Sequence, residues 1–204
     1  MLKLFLIRHG ETDFNRKNIV QGKGVNSELN ETGKEQARKF FETYRHIPFK
    51  ALYASTLIRS YQTLQPFTQI GYGIEQHPGL DEISWGDLEG KPANPEIRHE
   101  FDRINHEWSK GNLEIATNNG ENPIDVWNRF AVFLNYVETQ HPNGGNLLIC
   151  THGRTLRILL CGMLGYGLHN MSLFEHHNTG LNLLIRQPNA VYFAETLNDL
   201  AHLQ

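Results

Sequence analysis

Two short apolar runs, each ending at a His-Gly pair, constrain the fold of this chain more than any other feature. The first run, residues 3–7, stops at the Arg-His-Gly sequence of residues 8–10. The second, residues 147–150, stops at the Thr-His-Gly sequence of residues 151–153. Apolar runs of this length, bounded by polar and glycine residues, are typical of strands buried on both faces of a parallel sheet. A third such run, residues 51–54, is also followed by polar residues.

Helical patterns alternate with these runs, and strand–helix alternation favours an α/β fold. The predicted elements are helices over about 33–45 and after Ser55, Asn122-Pro123 and Gly153, and strands at about 181–185 and 190–194 around a turn at 187–189. Ser55 and Asn122 are residue types that favour helix N-caps, and proline suits the first helical position. We therefore predict a three-layer α/β/α sandwich with a mostly parallel central sheet.

No repeat, linker or low-complexity tract divides the 204 residues, so we expect a single domain spanning 1–204. A chain of this length buries roughly 70% of its unfolded surface and needs no disulfide or metal to hold its core. Residues of about 84–120 are irregular and rich in Asn, His, Glu and Gly. They are expected to form a small helical cap over the edge of the sheet.

Composition excludes several classes of protein. Apolar residues make up 39% and charged residues 20%, which excludes a disordered, collagen-like or coiled-coil chain. The charges are interspersed and sum to −3, and no basic stripe suits a nucleic-acid partner. Cys150 and Cys161 lie among apolar neighbours and are expected to be reduced thiols, as in the cytoplasm. No apolar run is long enough for a signal peptide or membrane span, so no membrane partner is expected.

The polar residues that follow the strands predict an anion site. In a parallel sheet the carboxyl ends of the strands share one edge, where ligands bind. Arg8, His9, Arg59 and His152 are expected to meet there. Two arginines and two histidines beside helix N-termini suit a compact dianion, of which phosphate is the obvious candidate. The other conspicuous pair, 176–177, has no third ligand at metal-site spacing and is expected to be solvated or hydrogen-bonded.

The order of these residues resembles the phosphoglycerate mutase-like branch of the histidine phosphatase superfamily. The matching blocks are Leu6-Ile7-Arg8-His9-Gly10-Glu11-Thr12 with Asn15, Leu29 with Thr32-Gly33 and Gln36-Ala37, Tyr53 to Arg59 through Thr63, Leu80-Asp81-Glu82 with Gly86 and Leu88-Glu89-Gly90, Gly120-Glu121 with Asp125-Val126 and Arg129, and Thr151-His152-Gly153 with Arg157. Together they cover the whole chain. The resemblance implies a phosphoglycerate mutase-like fold and an enzyme that transfers phosphoryl groups of small metabolites.

The resemblance implies a role for each member of the main cluster. His9 would be the nucleophile that carries a phosphohistidine, and Arg8, Arg59 and His152 would bind the phosphoryl oxygens. To attack, His9 must be neutral, which nearby cations favour. Its other ring nitrogen is expected to donate to a backbone carbonyl and fix the tautomer. No metal or other cofactor is expected, because the arginines supply the positive charge that a metal cation supplies in other enzymes.

Glu82 would be the general acid that protonates the leaving alkoxide, and then the base that deprotonates water. Asp81 is its rival one residue away, but the two side chains should point to different faces and the motif selects Glu82. Secondary phosphate contacts are expected from Asn15, Gln21 and Gly22, and from the backbones of Gly10 and Gly153. Thr12 has the alternative role of capping the following turn.

The chain departs from the family pattern away from the main cluster. The loop 21–29 is one residue longer and lacks the usual tryptophan and proline, and Ser60 and Asn122 replace a common alanine and serine. These departures bear on loop geometry and substrate choice and not on phosphoryl transfer.

The family contains mutases as well as phosphatases. Mutases resemble one another in an Arg-His-Tyr run after the acid, where this chain has residues 83–85, Ile-Ser-Trp. They also carry a longer arginine-rich cap, whereas residues 91–120 hold only Arg98 and Arg103. We therefore favour a phosphatase, with a mutase as the alternative. A non-catalytic phospholigand-binding protein is a further alternative, although such a protein would usually have lost a member of the catalytic set.

The sequence leaves three questions open. The physiological substrate is not indicated. Phe14, Trp85 and Trp108 either line an apolar pocket or pack the core, and periodicity does not separate these. A homodimer is suggested only at the level of the family.

Overall fold

A six-stranded sheet organises the described part of the chain, residues 1–92, 94–188 and 190–204 of a computed structural model. The strands are β1 (Leu2–Arg8), β2 (Phe49–Ala54), β3 (Ile74–Gln76), β4 (Gly145–Thr151), β5 (Leu181–Arg186) and β6 (Tyr192–Asp199). They lie in the order β3-β2-β4-β1-β5-β6. The first four in that order pair in parallel, and β5 and β6 form an antiparallel edge. The predicted mostly parallel sheet is confirmed.

Helices connect the strands and cover both faces of the sheet. They are α1 (Asp13–Arg16), α2 (Glu31–Tyr44), α3 (Ile58–Leu64), α4 (Pro95–Ser109), α5 (Pro123–Gln140) and α6 (Gly153–Met163), with 3-10 turns at Gln65–Ile70, Pro78–Leu80, Gly86–Leu88, Leu168–Leu173 and Ala201–Leu203. Within β1, Leu4 and Leu6 face the core that α5 and α6 complete. Phe5 and Ile7 face the core that α2 and α3 complete. Because side chains alternate along a strand, β1 contributes to both cores, and the three-layer sandwich is confirmed.

Several element boundaries differ from the sequence predictions. Helix α2 begins at Glu31, not Gly33, because the Asn30 side chain accepts from the Gly33 N–H and caps it. Helix α3 begins only at Ile58, so the prediction that Ser55 caps it is wrong. The Ser55 hydroxyl accepts from the Leu57 N–H at 3.2 Å, before the helix begins, and is also hydrogen-bonded to the His152 ring, so it belongs to the turn that leads into α3.

At α5 the capping prediction is confirmed, since Asn122 and Asp125 form a reciprocal capping box. Strand β6 begins at Tyr192, two residues later than predicted, and ends at Asp199, five residues beyond its predicted end. The predicted 187–189 turn includes Asn189, which lies outside the described residues.

Residues 84–120 contain α4, which packs Ile104 and Trp108 into the core on the α5–α6 side. The Trp85 ring centroid lies 4.6 Å from that of Phe101 and 5.5 Å from that of Trp108, so aromatic contacts hold α4 against the start of this segment. Ala93 within this segment lies outside the described residues. Among the helices described, none has the length and apolar character needed to cross a membrane.

The parallel central strands bring the predicted polar clusters to one edge. In the β1–β4 register Arg8 stands opposite Thr151, and the His9 N–H donates to the Thr151 carbonyl at 2.9 Å. The Ser55 N–H, just after β2, donates to the Cys150 carbonyl at 3.3 Å. The ends of β1, β2 and β4 are therefore adjacent, as the sequence predicted.

Candidate active site

A cavity of about 520 Å³ opens at the carboxyl ends of the central strands. It is lined by Arg8, His9, Glu11, Phe14, Asn15, Asn18, Ile19, Val20, Gln21, Arg59, Glu82, Trp85, Ile97, Arg98, Phe101, Gly153, Arg154, His176 and Asn178. Most charged groups come from the strand ends and from α6, whereas α1, the loop after it and the cap supply amide side chains, Arg98 and the apolar groups. The cavity therefore combines a charged floor with an apolar wall.

His9 is fixed in the tautomer that a nucleophile needs. Its Nδ1 lies 2.7 Å from the Gly10 carbonyl, which can only accept, so Nδ1 carries the proton. The Nε2 atom is then left with its lone pair. The ring is buried, and burial together with the charges of Arg59 and Arg8 holds the pKa of His9 well below its ordinary value. The expected backbone-carbonyl partner is present.

His152 lies beside His9, with ring centroids 5.0 Å apart, but it is fully buried and both of its ring nitrogens have partners. The Arg59 Nε donates to His152 Nδ1 at 3.1 Å. Since arginine only donates, His152 Nε2 must carry the proton and donate to the Ser55 hydroxyl at 2.6 Å. Burial and the Arg59 charge lower the pKa of His152 well below its ordinary value, which is consistent with this neutral form.

The two predicted arginines, of which Arg59 is buried and Arg8 is partly buried, are cations held by backbone carbonyls. The terminal nitrogens of Arg59 donate to the carbonyls of Val25 and Gly22 in the loop after α1. Arg8 Nη1 donates to the His176 carbonyl at 2.9 Å, and the buried Arg8 Nε has no hydrogen-bond partner among the described residues. Burial lowers the pKa of each arginine to about 10, so both remain charged at neutral pH.

The Glu82 side chain lies against the first turn of α6 and accepts several hydrogen bonds from it. Its Oε1 accepts from the Thr155 N–H at 2.9 Å and from the Thr155 hydroxyl at 3.0 Å, and its Oε2 accepts from the Arg154 N–H at 3.2 Å. Helix N-termini stabilise a carboxylate in this way. Asp81 does not line the cavity; its carboxylate accepts from the Thr56 N–H and hydroxyl. The two carboxylates therefore point to different places, as predicted.

Among the predicted secondary contacts, Asn15, Gln21 and Gly153 line the cavity, whereas Gly10 and Gly22 are not among its lining residues. The Gly10 N–H donates to the Thr63 hydroxyl at 2.9 Å, and the Gly22 carbonyl accepts from Arg59. These two glycines therefore support the cluster of arginines and histidines through backbone hydrogen bonds, without lining the cavity.

Thr12 has the capping role that the sequence left open. Its hydroxyl accepts from the Asn15 N–H at 3.1 Å, and the Asn15 side chain accepts from the Thr12 N–H in return.

Several cavity residues were not singled out from the sequence. The Asn178 side chain donates to the His9 carbonyl at 2.8 Å and so braces the nucleophile from the loop before β5. His176, expected only to be solvated or hydrogen-bonded, lies 3.3 Å from Arg8 through its Nδ1 and lines the cavity. Arg154 lines the cavity from α6. Arg154 follows the His-Gly pair directly, which is the one sequence signal that points to it.

The aromatic residues divide between wall and core. Phe14 and Trp85 line the cavity, whereas Trp108 is buried in the core behind Trp85 and is not among the lining residues. No grouping of three or more His, Cys, Asp or Glu side chains suited to a metal ion occurs within residues 1–92, 94–188 and 190–204.

Comparison with known proteins places residues 4–199 within a family model described as "Histidine phosphatase superfamily (branch 1)". A Hydrogenobacter thermophilus protein provisionally named phosphoserine phosphatase 2 is 28% identical, over 89% of this chain and 88% of its own length. A Yersinia pestis protein named as a probable phosphoglycerate mutase, GpmB, is 27% identical over 100% of this chain and 95% of its own. The solved structure of Bacillus stearothermophilus YhfR superposes with a TM-score of 0.86 at 26% identity and covers 100% of both chains.

These comparisons confirm the family that the motifs resembled and the fold that it implied. They also confirm the expected class of enzyme, because the matched family is the histidine phosphatases and phosphatases occur among the relatives. Mutases occur among the relatives as well, in line with the alternative that the sequence left open.

Proposed function

This chain belongs to branch 1 of the histidine phosphatase superfamily, and we propose that it hydrolyses phosphomonoesters of small metabolites through a phosphohistidine at His9. One observation supports this most strongly. A buried, neutral imidazole with a free Nε2 lone pair lines the same cavity as two arginines and a carboxylate. That set contains the nucleophile, the anion binder and the acid that phosphoryl transfer requires.

In the first half-reaction, the His9 Nε2 lone pair attacks phosphorus, an N–P bond forms and the bond from phosphorus to the ester oxygen breaks. The transition state carries its charge on the equatorial oxygens, so positioning and electrostatics supply most of the catalysis. Arg8 and Arg59 are the proposed partners of those oxygens. The unpartnered Arg8 Nε supports this role, since a buried donor without an acceptor is costly unless a ligand supplies one.

We assign Glu82 as the acid that protonates the departing alkoxide and as the base that then takes a proton from water. Its carboxylate lines the cavity and is held by the Thr155 N–H and hydroxyl, so its orientation is fixed. The first step requires this carboxyl to carry a proton, and the second requires it to be ionised. Water then attacks the phosphohistidine, the N–P bond breaks, and inorganic phosphate leaves.

We infer that His152 acts mainly by positioning Arg59. Its Nδ1 accepts from Arg59 Nε and its Nε2 is engaged by Ser55. A direct bond to a phosphoryl oxygen, as the family resemblance implies, requires His152 Nε2 to leave Ser55. Asn15, Gln21 and Gly153 are proposed secondary contacts, with Gly10 and Gly22 supporting the site indirectly.

The remaining proposals concern the ligand, the domain organisation, the cellular compartment and the partners. A phosphorylated small molecule fits the cavity volume, and we propose one working domain with 84–120 as its cap. The buried free thiols of Cys150 and Cys161 support a reducing cytoplasmic setting. That the protein forms a homodimer, and that it does not bind nucleic acid, stay predictions.

We predict that His9→Ala lowers turnover of p-nitrophenyl phosphate by at least about 1,000-fold, because the covalent route needs Nε2. Wild-type enzyme that is quenched in base during turnover should carry an acid-labile phosphoryl group on His9, located by peptide mass spectrometry. His177→Ala is the matched control, since His177 is exposed and bonds Asn198 away from the cavity. Substantial turnover by His9→Ala would show that His9 is not the nucleophile. If the wild-type protein does not hydrolyse p-nitrophenyl phosphate either with or without EDTA, a non-catalytic binding protein is favoured instead.

We also predict that Glu82→Gln slows glycerol 3-phosphate by about 100-fold and p-nitrophenyl phosphate by less than about 10-fold. A good leaving group hardly needs protonation, so a lost general acid matters less there. Asp81→Asn serves as the control, because its effect through Thr56 should not depend on the leaving group. If Asp81→Asn alone showed the dependence, the acid would be Asp81.

Phosphoglycerate mutase activity is the second candidate, and one observation favours it. Arg98 and Arg154 both line the cavity, so the substrate meets more cations than the cap sequence alone indicated. Ile83 is nevertheless buried in the core, and the Ser84 hydroxyl bonds Glu89. Neither is free to hold the far end of a bisphosphorylated intermediate through two transfers.

We predict that enzyme given 3-phosphoglycerate and catalytic 2,3-bisphosphoglycerate releases inorganic phosphate faster than it forms 2-phosphoglycerate. Both products are followed in one coupled assay and by phosphorus NMR. If 2-phosphoglycerate forms much faster than phosphate is released from any phosphorylated metabolite in a panel, the mutase assignment replaces the phosphatase.

A further inference from the structure

Arg154 is a cation of the cavity that the proposed hydrolysis does not use. Its backbone N–H is bonded to Glu82, but its side chain has no hydrogen bond or ion pair in the described part of the chain. The guanidinium instead lies against three rings, with 5.5 Å to the centroid of Trp85, 5.9 Å to Phe101 and 5.7 Å to Trp108. These contacts hold the cation in place without supplying an anion.

The aromatic contacts fix the position of the guanidinium. The three rings hold the guanidinium against the wall of the cavity, and its N–H groups have no acceptor among the described residues, so they are available to a ligand. Arg98, on α4, adds a second cation to the same cavity, and its side chain likewise has no described ion pair. Neither arginine belongs to the cluster assigned above to the phosphoryl group.

The position of Arg154 relative to Glu82 determines which part of a substrate it meets. The proposed acid must reach the leaving oxygen, so the alcohol part of the ester extends from Glu82 into the cavity. Arg154 is tied to the Glu82 carboxylate through its own N–H at 3.2 Å. The alcohol part therefore leaves Glu82 along the wall on which the Arg154 side chain lies against Trp85 and Phe101.

We propose that Arg154 binds a second anionic group on the substrate and so selects phosphomonoesters whose alcohol part carries a carboxylate or a second phosphate. The inference rests on the proposed phosphatase function and adds a substrate class to it. A planar guanidinium edge pairs with a carboxylate through two parallel hydrogen bonds, and with a phosphate in the same way. A neutral alcohol of equal size offers no such partner.

The test compares two substrates that differ only in the proposed group. Glycerol 3-phosphate and 3-phosphoglycerate share a phosphoryl group and a three-carbon chain, and only the second has a carboxylate. Wild-type kcat/KM should be higher for 3-phosphoglycerate. Arg154→Met should lower kcat/KM for 3-phosphoglycerate by about 10- to 100-fold more than for glycerol 3-phosphate, the range of a hydrogen bond to a charged group. Arg154→Lys should lie between wild type and Arg154→Met.

A second pair, fructose 1,6-bisphosphate and fructose 6-phosphate, asks whether the second group is a phosphate. Selective loss in either pair supports the inference and identifies the group. Arg103→Met is the matched control, because Arg103 lies on α4, is exposed and pairs with Glu100 away from the cavity. It should leave the selectivity of both pairs unchanged.

Three results separate the inference from the function on which it rests. If Arg154→Met lowers kcat/KM equally for both members of each pair while the thermal unfolding temperature falls, Arg154 only packs α6 against the cap and the inference is wrong. If wild type shows no preference for either anionic substrate yet hydrolyses p-nitrophenyl phosphate, the inference alone is wrong. If wild type hydrolyses none of the five esters, the phosphatase function itself is wrong.

Discussion

The hydrogen bond from His9 Nδ1 to the Gly10 carbonyl is the interaction on which the rest of the site depends. It decides which ring nitrogen keeps a lone pair, and burial among cations then keeps the ring neutral. The fold supplies the geometry for this bond. The His9 N–H is bonded to Thr151 at the end of β4, and Asn178 holds the His9 carbonyl. The nucleophile is therefore fixed by its backbone as well as by its ring.

Concentrating positive charge under a cavity has a cost that the structure partly offsets. A buried cation without a partner destabilises the folded state by several kcal/mol. Arg59 meets two carbonyls and a neutral histidine, while Arg8 keeps an unpartnered Nε. Glu82 is the carboxylate whose charge offsets theirs most directly. An incoming phosphoryl dianion completes this pairing, so binding and catalysis draw on the same charges.

Much of the fold and the floor of the site followed from the sequence. Buried strands read as apolar runs, and parallel strands bring their ends together, so the meeting of Arg8, His9, Arg59 and His152 was predictable. Ser55 was misread because its contact with His152 comes from a residue 97 positions away, which local capping rules do not detect.

The features of the site that the sequence does not predict depend on contacts between distant segments. Arg154 was missed because the rings that hold it, Trp85, Phe101 and Trp108, come from the cap. For the same reason, counting arginines within the cap alone understated the cations of the cavity. Gly10 was expected to offer its N–H to phosphate, but Thr63 from α3 takes that N–H.

The tautomer and charge of His9 are measured most directly by ¹⁵N NMR of histidine-labelled enzyme, with the His9 signals assigned by their loss in His9→Asn. The lowered pKa predicts that His9 stays neutral from pH 8 to pH 6, with the proton on Nδ1 and Nε2 unprotonated. An unperturbed histidine side chain is half protonated at about pH 6.5. Titration of His9 near that pH, or a proton on Nε2 in the neutral form, would contradict a nucleophile held ready by Gly10 and its surrounding cations.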